Sequence, residues 1–418
     1  MELQQKTDPE MLRYWVWLTL VFGAGSQRLL HYLEDADSPQ DVYDAMQAGR
    51  YRDLPPGVQK AMTEHSLGEA DSLVYYCRSH QITLLPIDSP EYPSVLRNIG
   101  TPPVLLTAKG NLKLLGHPLS LAVVGTRRPS PYTERVTKHI VGALSSKGFV
   151  IVSGFAKGVD GFAHTAALDH GGDTIAVLGC GINVNYPREH QALRDRMLSG
   201  ENGLLVSEYL PGTQPYPANF PRRNRILSGL CEATAVMEAA VRSGSLSTAQ
   251  CAVDQGRYLY CVPPADIFDP RYHGVVSLLR DGAFPLMSPE DVLLSYYSRY
   301  PQYIRLTELR DSERLVFAEQ TETASEPADL QTDAAEPVRP APEPVQTAPP
   351  VRQAEEKPLP ESEAGSAIVQ YLRECGDSYA DDIAAALDMD LSTLLSELTM
   401  LELDGFVETR FGKQYRAC

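Results

Sequence analysis

Six short runs in the middle of the chain are largely apolar and do not alternate in polarity. They are Leu121–Gly125, Phe149–Ser153, Thr174–Gly179, Leu204–Ser207, Ala233–Glu238 and Tyr258–Val262, and helical stretches of 10 to 20 residues separate them. A strand with one wet face alternates in polarity, whereas a continuously apolar strand is covered on both faces. Strands that alternate with helices in this way predict an α/β fold, a doubly wound parallel sheet of the extended Rossmann-like kind.

The amino-terminal segment is predicted to be helical. Two apolar helices, roughly Met11–Val21 and Ser26–Tyr32, meet at the glycine-containing turn Phe22–Gly25. Paired glycines in such a turn are typical of a helix-hairpin-helix or SAM-like domain, where free amides at the start of the second helix can hold a phosphate. A plain glycine turn in a small helical bundle explains the same pattern, and both interpretations stay open.

The carboxyl-terminal segment has two parts. Residues 319–362 contain nine prolines, ten acidic residues, three basic residues and no aromatic residue. Such a composition cannot bury enough apolar surface to fold and predicts an extended linker. Helices that include Ala367–Leu372, Ser378–Leu387 and Leu391–Leu403 follow, and then a hairpin over Phe406–Tyr415 that turns at Gly412, a winged-helix pattern. The predicted domains are 1–83 (helical), 84–300 (Rossmann-like), 301–362 (connector and linker) and 363–418 (winged helix).

Composition sets limits on location and chemistry. No apolar run approaches the 18 residues of a membrane span, and the seven cysteines are scattered without a CxxC pair. We therefore expect an unexported, cytoplasmic protein with no disulfide framework and no zinc site.

The net charge of −17 is unevenly distributed. Residues 84–300 carry 20 basic and 18 acidic side chains, whereas residues 363–418 carry 4 and 11. The middle of the chain can therefore hold a local basic groove. The candidate recognition helix Leu391–Leu403 has two glutamates and no Lys or Arg, so we expect the winged helix to contact protein rather than DNA.

Glycine, hydroxyl and arginine groups follow the predicted strands. The segments Gly125–Ser130, Ser153–Asp160 and Phe220–Arg225 would meet at one edge of the sheet, where ligands of such folds bind. Glycines allow close backbone approach, and arginines bind phosphate oxygens. No segment matches GxxxxGK[ST] or GxGxxG, so ATP hydrolysis and NAD chemistry are disfavoured and a nucleic-acid backbone is favoured.

Two constellations stand out among these segments. Three arginines within four residues, next to Phe220, have the composition of a single-strand binding platform. Asp160 and His164 lie four residues apart on one predicted helix face. They could form an acid–base pair, but a hydrogen bond at the helix end is the favoured interpretation.

The order of these motifs resembles the DNA-processing protein A family, also called DprA or Smf. The resemblance covers residues 84–300 through VGTR at 124–127, SGFAKGVD at 153–160, AVLG at 176–179, YP at 186–187, FPRRNR at 220–225 and SGSL at 243–246. It implies single-stranded DNA binding, a homodimer and loading of the RecA recombinase during natural transformation, with no cofactor, metal or catalysis. The implied pocket residues are Arg127, Ser153, Gly154, Lys157, Gly158, Phe220, Arg222, Arg223, Asn224 and Arg225, with Arg188 as an additional basic contact.

Two alternatives use the same fold. The sheet is similar to that of phosphoribohydrolases, whose PGGxGTxxE motif supplies a catalytic glutamate, but Cys251 stands at that position here. Without a carboxylate the general acid–base step has no group to carry it. A nucleotide-binding sensor could use the same pocket for a small ligand, and oligonucleotides of increasing length would separate it from a chain binder.

Overall fold

The fold was analysed in a computed structural model. It describes residues 10–51, 54–304, 362–376, 378–387, 389, 391–403, 406–410 and 414–417. The chain forms two compact units, Met1–Ser312 and Glu313–Cys418. The predicted linker at 319–362 lies outside the described residues except for Ser362, and so does the predicted hairpin turn at Gly412.

A sheet of nine described strands forms the centre of the first unit. Its strands are β1 (Thr83–Pro86), β2 (Leu105–Gly110), β3 (Ser120–Val124), β4 (Val150–Ser153), β5 (Thr174–Leu178), β6 (Gly203–Ser207), β7 (Ala233–Val236), β8 (Tyr258–Cys261) and β9 (Phe284–Pro285). Their order in the sheet is β1-β2-β6-β5-β4-β3-β7-β8-β9. The strands from β6 to β9 are parallel, and β1 and β2 are added antiparallel at one edge. The doubly wound parallel sheet predicted from the sequence is confirmed.

The strand order reverses between β3 and β7. From β3 the chain moves outward through β4, β5 and β6, and then returns to place β7 on the other side of β3. The loops that follow β3 and β7 therefore diverge at the carboxyl edge of the sheet. In open parallel sheets this divergence creates a crevice that binds ligands.

Helices cover both faces of the sheet. They are α6 (Ser94–Arg97), α7 (Pro131–Ser146), α8 (Val159–Asp169), α9 (Gln191–Leu198), α10 (Asn219–Gly229), α11 (Ser245–Asp254), α12 (His273–Arg280) and α13 (Pro289–Arg299). One apolar core joins Leu121 and Ile151 of the sheet to Ile140 and Tyr296 of the helices. Apolar cores on both faces explain why the parallel strands lack polar alternation.

Five helices precede the sheet. They are α1 (Leu12–Phe22), α2 (Gln27–Glu34), α3 (Pro39–Gln47), α4 (Pro56–Glu64) and α5 (Leu67–Ser79). Their buried residues, Trp17 and Leu29 among them, belong to the same core as Leu105, Phe155 and Leu178 of the α/β part. The helical segment and one face of the sheet therefore share a single apolar core.

The glycine turn between α1 and α2 packs on the α/β part. Gly23 and Gly25 have φ angles of 75° and 73°, which glycine adopts at little cost. The amide of Gly25 donates a 2.8 Å hydrogen bond to Oε1 of Glu208. A carboxylate of the chain itself thus occupies the position that a phosphate takes in the helix-hairpin-helix interpretation.

The second unit combines three helices and a small sheet. The helices are α14 (Glu363–Cys375), α15 (Ala380–Leu387) and α16 (Leu391–Leu403), and the strands are β10 (Ser378–Tyr379), β11 (Val407–Arg410) and β12 (Gln414–Ala417). The strand order is β10-β12-β11, and Ile368, Leu398 and Val407 lie in a common core. The predicted winged-helix fold is confirmed. Among all the residues that the structure describes, no helix has the length and apolar character needed to span a bilayer.

Candidate functional site

Two adjoining cavities lie at the carboxyl ends of the parallel strands. The larger, of about 560 Å³, is lined by the loop after β3, the start of α10 and the loop that leads into α11. The smaller, of about 60 Å³, lies among the loops that follow β4 and β5. Arg127, Ala156, Tyr186 and Phe220 line both cavities, so the two form one groove at the point where the strand order reverses.

Phe220 stands at the centre of the groove. The guanidinium carbon of Arg127 is 5.7 Å from the centroid of its ring, and the ring of Tyr186 is tilted against it at 5.6 Å. Gly179 packs against the ring, and a Cβ atom there would lie 2.8 Å from a carbon of the phenyl ring. Two aromatic rings beside an exposed arginine form a surface on which a base can stack next to a phosphate contact.

The loop after β4 passes close to the loop after β3. Gly158 has a φ of 79°, and a Cβ atom there would lie 2.5 Å from the carbonyl oxygen of Thr126. The amide of Val159 donates a 3.2 Å hydrogen bond to that same oxygen. Only glycine satisfies both the positive φ and the close approach, which explains the second glycine of the SGFAKG segment. Lys157, on this loop, is exposed and forms an ion pair with Glu189.

Arg223 is buried beneath the groove, with 4% of its surface exposed. Its Nη1 donates hydrogen bonds to the carbonyl oxygens of Gly154 and Val177, the first at 2.8 Å. Burial lowers the pKa of its guanidinium to about 10, so the group remains charged at neutral pH. The side chain fastens the loop after β4 to β5, and its contribution to the groove is mainly positional.

The other arginines of FPRRNR point in different directions. Arg225 forms a bidentate ion pair with Glu208, with Nη2 2.6 Å from Oε1, and donates from Nε to the carbonyl oxygen of Thr101. Arg222 is exposed but does not line either cavity. Asn224 lines the larger cavity and donates from Nδ2 to Oγ of Ser247 at 2.7 Å.

Two further predicted residues lie apart from the groove surface. Ser153 is fully buried, and its hydroxyl donates a 2.6 Å hydrogen bond to the carbonyl oxygen of Val123. It joins β4 to β3 and does not present its side chain to a ligand. Arg188 is exposed in the turn after Pro187 and lines neither cavity. The structure therefore gathers Arg127, Gly154, Lys157, Phe220, Arg223 and Asn224 at the groove, but not Ser153, Gly158, Arg188, Arg222 or Arg225.

Asp160 and His164 do not bond to each other. Oδ2 of Asp160 accepts a 3.1 Å hydrogen bond from the amide of Ala156, just before α8, which confirms the helix-end interpretation. Nδ1 of His164 is 2.6 Å from Oγ1 of Thr174. Burial raises the pKa of Asp160 to about 6 and lowers that of His164 to about 3, so at neutral pH the carboxyl is ionised and the imidazole is neutral.

The charge of the groove suits an anionic ligand. Among its described lining residues, Arg127, Arg128, Lys157 and Arg223 are basic and Asp160 alone is acidic. In the part of the chain that the structure describes, no three His, Cys, Asp or Glu residues come together in a way that could hold a metal ion.

Three contributors were not identified as site residues from the sequence. Tyr186 adds the second ring, Glu189 pairs with Lys157, and Glu238 bonds to the loop after β3. The YP pair at 186–187 was a visible signal for the first. The other two depend on contacts between residues 32 and 108 positions apart, which local patterns do not contain.

Known proteins share this architecture. The family described as DNA recombination-mediator protein A matches residues 83–297, and the DprA winged helix domain matches residues 352–413. The DNA processing protein DprA of Bacillus subtilis (strain 168) is 41% identical over 54% of this chain and 75% of its own. Protein Smf of Escherichia coli (strain K12) is 44% identical over 50% of this chain and 55% of its own.

A solved structure agrees with the sequence relatives. The X-ray structure of DNA processing protein A from Streptococcus pneumoniae is 33% identical, with a TM-score of 0.56 over 69% of this chain and 97% of that chain. The family match spans the sheet, both cavities and the loops that form them. The chain therefore belongs to the DNA recombination-mediator protein A family, the DprA/Smf proteins.

Proposed function

We propose that the groove at the carboxyl edge of the sheet binds the backbone of single-stranded DNA without sequence preference. The observation that carries this proposal is the group formed by Arg127, Phe220 and Tyr186, in which an exposed guanidinium lies beside two rings at the reversal of strand order. Arginine binds phosphate oxygens, and an aromatic ring stacks on any base, so the pair recognises a strand and not a sequence.

The groove favours binding over catalysis. Asp160 and His164 are buried and engaged in hydrogen bonds, and Cys251, at the glutamate position of the phosphoribohydrolase motif, has a pKa raised mainly by burial. A thiol with a raised pKa at that position does not replace the missing glutamate as a proton carrier. We therefore propose that the protein acts by holding the strand.

The biological role that we propose is the one that family membership supports. The strand held in the groove would be incoming DNA during natural transformation, and the protein, as a homodimer in the cytoplasm, would protect it and load the RecA recombinase onto it. Recombinase filament growth on a pre-bound oligonucleotide, measured with and without this protein, tests the loading step. An unchanged nucleation rate would contradict it.

The binding proposal is tested with fluorescent oligonucleotides. We expect single-stranded DNA to bind more tightly than duplex, with affinity rising with length. Because about 3–5 phosphates would be neutralised, the log–log salt slope should lie around −2 to −4. Arg127→Ala and Phe220→Ala should each weaken binding about tenfold, the equivalent of ~1.4 kcal/mol.

Arg280→Ala serves as the matched control, because it removes one positive charge from an exposed helix end outside both cavities. It should leave affinity nearly unchanged. A slope near zero, or equal losses in all three variants, would contradict backbone binding in the groove. Affinity that stops rising beyond one nucleotide would instead favour the nucleotide sensor.

A further inference from the structure

We infer that Glu238 is a positioning residue for the phosphate contact made by Arg127. Glu238 lies two residues beyond β7 and is buried, with 1% of its surface exposed. It therefore does not reach the groove and lines neither cavity. It acts through the loop after β3, and this inference rests on the proposed function.

Glu238 holds both ends of the arginine loop, defined here as residues 126–130. Its backbone carbonyl accepts a 2.9 Å hydrogen bond from the amide of Thr126. Its side-chain Oε2 accepts from the amide of Ser130 at 3.0 Å and from the hydroxyl of Ser130 at 2.8 Å. Arg127 and Arg128 lie between these two points, so a single residue fixes the start and the end of the segment that carries them.

The carboxylate also stabilises the start of α7. Oε2 accepts a 2.5 Å hydrogen bond from the hydroxyl of Thr133, in the first turn of that helix. The hydroxyl of Ser130 caps the helix by accepting from the amide of Thr133 and lies 2.7 Å from the hydroxyl of Tyr272. A negative charge at a helix start is favoured by the helix dipole. The loop thus ends on a fixed helix and not on a free chain.

The anchored loop determines where the guanidinium lies. Arg127 is exposed, and its position over Phe220 depends on the backbone that carries it. When Glu238 loses its carboxylate, the loop keeps its arginine but loses the bonds that fix its end at Ser130. The flexible side chain must then be ordered by the DNA itself, and that cost reduces affinity.

A double-mutant cycle tests the inference. Glu238→Ala should weaken single-strand binding about fivefold and lower the magnitude of the salt slope by about one, because the contact it supports is a phosphate contact. On an Arg127→Ala background, the same substitution should weaken binding little further, since the contact is already absent. Glu238→Gln keeps an acceptor oxygen and should show a smaller loss.

Glu232 provides the matched control at the other end of the same strand. It is also a buried carboxylate, one residue before β7, and accepts from Arg299 and Tyr300. Glu232→Ala should lower the melting temperature without changing the salt slope. If Glu238→Ala does not fold, the same cycle is measured with Glu238→Gln and with Thr133→Val. The second variant removes one of the hydrogen bonds to Oε2.

The possible outcomes distinguish a failure of the proposed groove from a failure of the inference about Glu238. If Arg127→Ala leaves binding intact, the proposed groove is wrong. If Arg127→Ala weakens binding but the folded Glu238 variants bind like the parent, the inference about Glu238 is overturned while the groove stands. Equal fold-losses for the Glu238 substitutions with and without Arg127 would also overturn it, because they would indicate a general structural role.

Discussion

At the scale of single residues, an acidic side chain paired with Lys157 competes with the proposed ligand of the groove. Lys157 is exposed on the loop after β4, and its ammonium group pairs with the exposed carboxylate of Glu189. A phosphate that binds Lys157 must replace this carboxylate. The pair is open to solvent, so it contributes little to the stability of the fold. Its effect on DNA binding is unfavourable, because the carboxylate occupies a partner of the phosphate.

We predict that Glu189→Gln tightens single-strand binding roughly threefold at low salt, because the competing charge is removed and an exposed ion pair is only weakly stabilising. Asp169→Asn is the control. It breaks the comparably exposed pair with Arg196 at the other end of α8 and should leave affinity nearly unchanged. Weaker binding by Glu189→Gln would mean that the carboxylate orients Lys157 instead of competing for it.

His164 links stability to pH. Its pKa is lowered to about 3 by burial, whereas an exposed imidazole in the unfolded chain titrates near 6.5. Between these values the unfolded chain binds a proton that the folded protein does not, so the contribution of His164 to stability is lost as pH falls below about 6.5. Asp160, with its pKa raised to about 6, acts in the opposite direction between about 3.8 and 6.

We therefore predict that His164→Asn melts at a lower temperature than the parent protein at pH 7.5, because it leaves a small cavity, but loses less melting temperature between pH 7.5 and pH 5. Thermal melting followed by circular dichroism at both pH values checks this. Parallel losses in the two proteins would show that other groups dominate the acid sensitivity.

At the scale of elements, α10 serves both the groove and the helical segment. Its first residues carry Phe220, Arg223 and Asn224 to the cavities, while Arg225 bonds to Glu208, whose carboxylate also accepts from Gly25 of the α1–α2 turn. The bidentate geometry suits a guanidinium and not an ammonium group.

We predict that Arg225→Ala destabilises the protein by about 3–5 kcal/mol, because it leaves the nearly buried Glu208 carboxylate without its partner. Arg225→Lys should recover only part of this, since Lys cannot form the two parallel bonds. Arg222→Ala, an exposed neighbour on the same helix, is the control and should melt like the parent. Equal melting temperatures for Arg225→Ala, Arg225→Lys and Arg222→Ala would contradict this role of the ion pair.

Sequence patterns predicted the central elements well because their signals are local. Each of the six apolar runs overlaps a strand to within one residue at its start, and the glycine and arginine segments follow the strands at the carboxyl edge. The edge strands β1 and β2 and the two-residue β9 were not predicted. β2 follows two prolines and pairs with β6, where Thr107 lies opposite Ser207. Pairing between strands that are far apart in the sequence leaves no periodic pattern of apolar residues from which it could be predicted.

The candidate site was predicted in composition but not in orientation. Helical geometry places Arg222, Arg223 and Arg225 on different faces of α10, which the FPRRNR spacing indicates. Which face meets the solvent depends on the neighbours. Arg223 faces the carbonyls of Gly154 and Val177, and Arg225 faces Glu208. Only the folded chain brings these acceptors together.

At the scale of the whole molecule, charge and structure divide the chain in the same way. Residues 363–418 carry 4 basic and 11 acidic side chains and form a winged-helix unit of their own, whereas the groove lies in the first unit. An acidic unit repels a phosphate backbone, so we expect it to contribute little to DNA binding.

We predict that a chain truncated after Ser312 binds single-stranded DNA within about twofold of the parent, a difference below ~0.5 kcal/mol. The isolated segment 363–418 should show no detectable binding at the same concentration and salt. Anisotropy titrations of both fragments against one oligonucleotide check this. A truncated chain that folds but binds tenfold more weakly would place part of the interface in the winged helix.

The apolar core that joins the five amino-terminal helices to the sheet limits how the protein can be recombined with its relatives. Trp17 and Leu29 share that core with Phe155, a residue of the loop that carries Lys157. Cutting the chain near residue 83 would lay this apolar surface open to water and remove the support beneath the loop. We therefore expect that the five helices cannot be replaced by those of a relative while the sheet is left unchanged. We expect a viable chimera to inherit the helices and the sheet from the same parent, with crossover tolerated after residue 312.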